Sequence, residues 1–163
     1  MKMIRLTVAL PILLASCTDI AGSGLNPLWS DIRESVVCMP GGMMWTEHEV
    51  GRSRHQEMYS AVLRFKEIPK DQTVPFLLSR IDSTDVTSVH ICPLDSATEG
   101  ELAVYLLEEI TGRPWFSAIG LAARPDNQKA ELSRALRDHK KRQQLVDFYR
   151  MRDPNKAAAD DGS

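Results

Sequence analysis

The sequence predicts an all-α fold: a compact helical domain with an αα-hairpin, one long loop and a long C-terminal helix. Three observations point there. Apolar residues recur three or four positions apart along most of 27–152. Helix start and stop signals bracket those runs. A single short stretch, Val86 to Cys92, is β-prone. The chain of 163 residues, 43 % hydrophobic and 26 % charged, is long enough for one domain with a real core.

The first helix is expected over Pro27 to Val37, where Leu28, Trp29, Ile32, Val36 and Val37 share a face and Asp31, Arg33 and Glu34 separate them. Met39-Pro40-Gly41-Gly42 reads as a turn. A second amphipathic helix spans about Arg54 to Lys66, with Met58, Val62 and Phe65 on one side. Pro69 separates it from a third, Lys70 to Ile81, striped by Val74, Leu77, Leu78 and Ile81. Pro75 in that stripe requires a place in the first turn, where a missing N–H is harmless.

Asp82 to Asp95 is the long loop and holds the β-prone piece. The helix that follows has the sharpest ends: Ser96 with Glu99, or Thr98 with Glu101, can form a capping box, and Gly112 with Pro114 supplies the stop. Its run Leu102 to Leu107 is apolar nearly all round, which places it at the centre of the core. Trp115, Phe116, Ile119 and Leu121 are expected to cover one end of that core. A long last helix is expected over Asp126 to Met151, apolar at both ends and charged in its middle, where it projects into solvent. Residues 153–163 have the composition of a disordered tail.

The segments Val74-Pro75-Phe76-Leu77-Leu78 through Ile81-Asp82, and Gly100-Glu101-Leu102-Ala103 through Glu109-Ile110-Thr111-Gly112, together resemble a HEAT-like helical hairpin. The likeness covers about a quarter of the chain, over 70–112, and its neighbours do not repeat it as a solenoid requires. It implies a helical fold and scaffold or binding roles.

The N-terminus carries Lys2 and Arg5, then a short apolar run from Leu6 to Leu14, then small residues, the three regions of a secretory signal peptide. The run is too short to span a bilayer. Leu14-Ala15-Ser16-Cys17 resembles a bacterial lipobox, in which cleavage exposes a cysteine that carries lipid. The resemblance implies a signal peptide over 1–16, a palmitate-type anchor on Cys17, and a flexible tether over 17–26 before a helical domain at 27–152. The mature chain would have 147 residues and a net charge of −4 in place of −2. Thr18 follows the cysteine and Asp19 comes one place late for the inner-membrane retention signal, so the implied address is the periplasmic face of the outer membrane. Two or more acyl chains hold such a protein stably at the membrane.

Cys38 and Cys92 then remain, one pair in an oxidising compartment. A disulfide between them would contribute about 4 kcal/mol in the chain-entropy model; two separate buried thiols are the alternative. His90-Ile91-Cys92 lacks the second ligand pair a zinc site needs.

Net charge near zero excludes a global field for nucleic acid. Glu47-His48-Glu49 with His55 and Glu57 is the densest group of possible metal ligands, but Gly51 interrupts it and no His-Glu-x-x-His spacing is present. There is no Gly-x-Ser-x-Gly elbow and no phosphate-binding glycine loop, and no cofactor motif is found. The basic run His139-Lys140-Lys141-Arg142, with Arg134 and Arg137 one or two turns earlier, can meet anionic headgroups or an acidic partner. Trp45 with Met39, Met43 and Met44 forms an adaptable apolar stretch. The expected function is a lipid-anchored periplasmic binding or accessory protein with a protein partner, of the immunity-inhibitor type. The alternative is a metal-dependent envelope hydrolase using Glu47, His48 and His55.

Overall fold

The computed structural model describes residues 24–35, 38–40, 53–92 and 95–151, with the backbone alone for 38–40, 53–59 and 92. In chain order the elements are α1 (Leu25–Arg33), β1 (Cys38–Pro40), α2 (Ser53–Glu67), α3 (Lys70–Leu78), β2 (Val86–Cys92), β3 (Ser96–Thr98), α4 (Glu99–Thr111), α5 (Trp115–Ala118), α6 (Gln128–Arg137) and α7 (His139–Arg150). The fold is mainly helical, as the periodicity predicts.

Helix α4 is the axis. Leu102, Ala103, Val104, Leu106 and Leu107 have no exposed surface, and Tyr105 has almost none. Burying one such side chain stabilises by about 1.5–3 kcal/mol, so a helix apolar on every side can only be central. Around it lie α3, α5 and α6, while α1 packs on α2 and α7 closes against α3, α5 and α6. Trp29, Ile32, Phe65, Leu77, Trp115, Leu132 and Leu145 complete the core. α3 packs on α4, and the connection between them holds β2 and β3.

Both ends of α4 are locally encoded. Thr98 adopts an extended backbone and accepts from the Glu101 N–H at 3.2 Å, while the Glu101 carboxylate accepts from the Thr98 N–H at 2.9 Å. The capping box is therefore Thr98 with Glu101, and not Ser96 with Glu99. At the other end Gly112 is left-handed (φ 71°), which a Cβ would oppose, and its N–H closes on the Glu108 carbonyl at 2.8 Å. Gly100 has a different necessity. A Cβ there would lie 2.6 Å from the Ile81 carbonyl oxygen and 3.0 Å from that of Ser83, so the start of α4 can sit against the 81–83 turn only without a side chain.

The β-prone stretch expected at Val86 to Cys92 is a strand, and four other expectations are corrected. The loop from Asp82 to Asp95 contains β2 over the β-prone residues, and with β3 and β1 it forms a three-stranded sheet ordered β1-β2-β3. β2 and β3 are antiparallel, whereas β1 and β2 are parallel, with Cys38 opposite His90 and Pro40 opposite Cys92. Met39-Pro40 thus ends a strand at the sheet edge, where a residue without an N–H is tolerated. Pro75 lies inside α3 and not in its first turn; buried Thr73, Leu77 and Leu78 hold the helix in spite of the lost backbone bond. Leu25 is already buried in α1, so the domain begins within the stretch expected to be tether.

The long C-terminal helix is broken. Asp138, with φ −82° and ψ 113°, ends α6 and starts α7. Its Oδ1 accepts from the N–H groups of Lys140 at 2.9 Å and Lys141 at 3.1 Å. This N-cap replaces the bonds a continuous helix would have made, and the bend lets Leu132 and Leu145 both reach the core.

Candidate functional site

The first turn of α4 carries two buried carboxylates, Glu99 and Glu101, only 2 % and 3 % exposed. Buried charge persists when it is paired and hydrogen-bonded, and both are. Glu99 Oε1 accepts from Trp29 Nε1 at 3.1 Å and meets the Arg33 guanidinium at 2.5 Å, while Oε2 accepts from Ser83 Oγ at 2.9 Å. Glu101 serves the capping box, accepts from Ser133 Oγ, and lies 3.5 Å from Lys129 Nζ. Lys129 Nζ also donates to the Ser96 carbonyl at 2.6 Å. The positive end of the α4 dipole favours both acids. Every acceptor is engaged within the protein, so the cluster ties α1, the 83 turn and α6 to α4.

At the opposite end of α4, Glu108 pairs with Arg124, whose guanidinium also donates to Gln128 Oε1 at 2.8 Å and lies 5.3 Å from the Phe116 ring centroid. Burial raises the Glu108 carboxyl above its ordinary value, outweighing the Arg124 charge and hydrogen bond that lower it. Burial likewise pushes the Tyr105 phenol up, with the charges of Glu101 and Glu108 adding to it. The Tyr105 hydroxyl and the Trp115 Nε1 are buried and have no hydrogen-bond partner among the described residues. Tyr149, also raised by burial, donates to the Arg113 carbonyl at 3.0 Å.

The outward-facing feature is the elbow of α6 and α7. Residues 128–150 hold seven Lys and Arg against three Asp and Glu, a surplus of four positive charges in a chain of net −2. Arg134 makes an exposed pair with Glu131 at 2.5 Å, of the kind worth about 0–1 kcal/mol. Arg137 Nε donates to the Ser133 carbonyl at 3.2 Å and Arg142 to that of Leu136 at 2.8 Å. Among the described residues Arg137, Lys140, Lys141, Arg142 and Arg150 have no carboxylate within salt-bridge distance. Asp138 between them is held below the usual carboxylate range, first by the Lys141 N–H and then by that of Lys140. Two open clefts flank the elbow. One, about 490 Å³, is lined by Asp95, Asn127, Lys129, Ser133, Arg134 and Arg137. The other, about 250 Å³, is lined by Asp82, His139, Arg142, Gln143 and Arg150 together with Leu78, Ile81 and Val146.

The five cations expected to form an anionic-partner face, Arg134, Arg137, Lys140, Lys141 and Arg142, are thus gathered on one bent unit. Cys38 and Cys92 lie on adjacent strands, two register positions apart, and their side chains fall outside the described residues. Cys17, Trp45, Glu47 and His48 also lie outside, and His55 is placed only as a backbone position in α2. Among the described residues no three His, Cys, Asp or Glu converge to hold a metal ion, and no helix is long and apolar enough to cross a membrane. Sequence reasoning missed the Glu99–Arg33 and Glu108–Arg124 pairs. The available signal was carboxylates within an otherwise apolar helix, a position that demands partners.

No protein-family model, curated protein or solved structure matches the chain.

Proposed function

We propose that this is a lipid-anchored binding protein of the bacterial cell envelope, held at the periplasmic face of the outer membrane through Cys17, that acts on a protein partner by contact and not by catalysis, in the manner of an immunity-type inhibitor. The observation that carries the binding role is the surplus of positive charge at the α6–α7 elbow, where Arg137, Lys140, Lys141, Arg142 and Arg150 meet no carboxylate at salt-bridge distance among the described residues. Surface charge of this kind steers association and selects partners. The anchor rests on Leu14-Ala15-Ser16-Cys17 and the charged and apolar stretches before it. A tethered protein also meets envelope partners at a raised effective concentration.

Fractionation and capture test the two halves. Cys17→Ser is expected to release the chain from membranes, and continued attachment would contradict the anchor. Cross-linking in intact cells is expected to trap a protein partner with the parent chain and lose it with Lys140→Glu/Lys141→Glu. Equal capture by both would reject the elbow as the binding surface.

A further inference from the structure

Resting on the binding role above, we propose that the α6–α7 elbow is built to dock an acidic segment of a protein, with Arg137, Lys140 and Lys141 at its tip and Arg134 and Arg142 on its flanks. Charge complementarity is the first ground. The surplus of four positive charges is confined to residues 128–150, while residues 17–127 hold nine Lys and Arg against sixteen Asp and Glu. A partner attracted by this chain as a whole would be basic, so an acidic one must be selected locally, at the elbow. The second ground is shape. The tip stands between two clefts, each lined by two arginines against one aspartate (Arg134 and Arg137 with Asp95, Arg142 and Arg150 with Asp82), and guanidinium groups suit a carboxylate-bearing chain, since the planar fork binds a carboxylate through two parallel hydrogen bonds.

A membrane surface fits less well. A helix that lies in a bilayer interface presents an apolar face to it, and here that face is taken up by the core: Leu132, Ala135, Leu145 and Tyr149 are buried, and Leu136, Val146 and Phe148 pack against them. Every fully exposed residue within α6 and α7 is polar, and Met151, just past α7, is the exposed apolar side chain beside them. Lys129 takes no part, because Glu101 and the Ser96 carbonyl hold its ammonium inward.

The test is a titration of the full chain in detergent with a fluorescein-labelled poly-glutamate peptide, read by anisotropy at low salt. Lys140→Gln/Lys141→Gln is expected to weaken binding by about fivefold, as two surface charge contacts are worth, and Arg137→Gln added to the pair to weaken it further. Arg64→Gln/Lys66→Gln on α2 is expected to leave it unchanged. Unaltered affinity in the elbow variants, with their circular dichroism unchanged, overturns the proposal. So does binding of phosphatidylglycerol vesicles that depends on Lys140 and Lys141 when poly-glutamate is not bound, since the elbow would then face lipid. The titration needs neither anchor nor physiological partner. Its failure rejects the acidic-segment assignment alone, whereas retention of Cys17→Ser in membranes rejects the anchored role alone.

Discussion

Trp29 and Glu99, 70 positions apart in the chain, share a buried hydrogen bond of 3.1 Å from the indole Nε1 to the carboxylate. With Arg33 and Ser83 on the same carboxylate, the bond fixes α1 against the start of α4. Because Arg33 is one-third exposed, water screens part of its charge.

Glu99→Ala leaves Arg33 and the Trp29 indole without their acceptor and is expected to destabilise the fold by about 2–3 kcal/mol, below the range for a fully buried pair. Glu99→Gln keeps the shape and the acceptor for Trp29 and is expected to lose about 1 kcal/mol. Urea denaturation separates them. Equal losses would show that the missing negative charge opposite Arg33, and neither the cavity nor the missing acceptor, dominates.

Gly100→Ala tests the approach of α4 to the 81–83 turn. Alanine ordinarily favours a helix over glycine by about 1 kcal/mol, yet here its Cβ would meet two backbone carbonyls that no rotamer change can move. A net loss of about 1–3 kcal/mol is expected, measured as a lowered thermal midpoint. A raised midpoint would mean that the turn yields.

Glu108 sets an acid-side dependence opposite to that of most paired carboxylates. Its folded pKa lies above the ordinary 4.5, so the folded state binds its proton more tightly than the unfolded chain does. The stability it contributes is complete below pH 4.5 and is lost as pH rises through the raised folded value. Glu108→Gln mimics the protonated form and is expected to gain on the parent over that window in urea midpoints measured at successive pH values. A gap between the two proteins that stays constant with pH would exclude this assignment.

Asp138 behaves conversely. Its lowered pKa means that its contribution is present above the ordinary 3.8 and lost as pH falls through the folded value. Asp138→Ala is expected to speed amide exchange at Lys140 and Lys141, and Asp138→Asn, which retains an acceptor oxygen, to restore protection. Uniform exchange across all three would place the break in the helix elsewhere.

If the chain is exported as proposed above, mass analysis of Cys38 and Cys92 decides between a bridged protein, two hydrogens lighter than its reduced form, and two free thiols. At the observed register their α-carbons lie two positions out of step, about 8 Å apart by ladder geometry, beyond the usual bridge span. Placing Cys38 opposite Cys92 would carry Met39 and Pro40 past the end of β2, so the bridge requires β1 to give up most of its pairing. Two alkylatable thiols in the exported chain would rule the bridge out.

The helices were legible wherever local chemistry marks them. Thr98, Glu101 and Gly112 bracket α4 in the sequence as in the structure, and the unbroken run Leu102 to Leu107 announces a central helix. The break at Asp138 was not, because Arg134 to Gln144 has good helix propensity on both sides and only the core's need for both Leu132 and Leu145 selects the bend. Parallel pairing of β1 was equally hidden, since a parallel neighbour is reached through a crossover that leaves no local mark. Of the candidate site, the basic residues were visible as a charge run. That Lys129 is withdrawn from it depends on Glu101, a contact between distant segments.

The sheet also sets an order of assembly. β2 and β3 meet across a short connection, whereas β1 reaches β2 only after α2 and α3 have been crossed. Closing a longer loop loses more chain entropy before any contact rewards it. The β2–β3 hairpin is therefore expected to pair before β1 joins it, with the helices supplying the support that two strands alone lack.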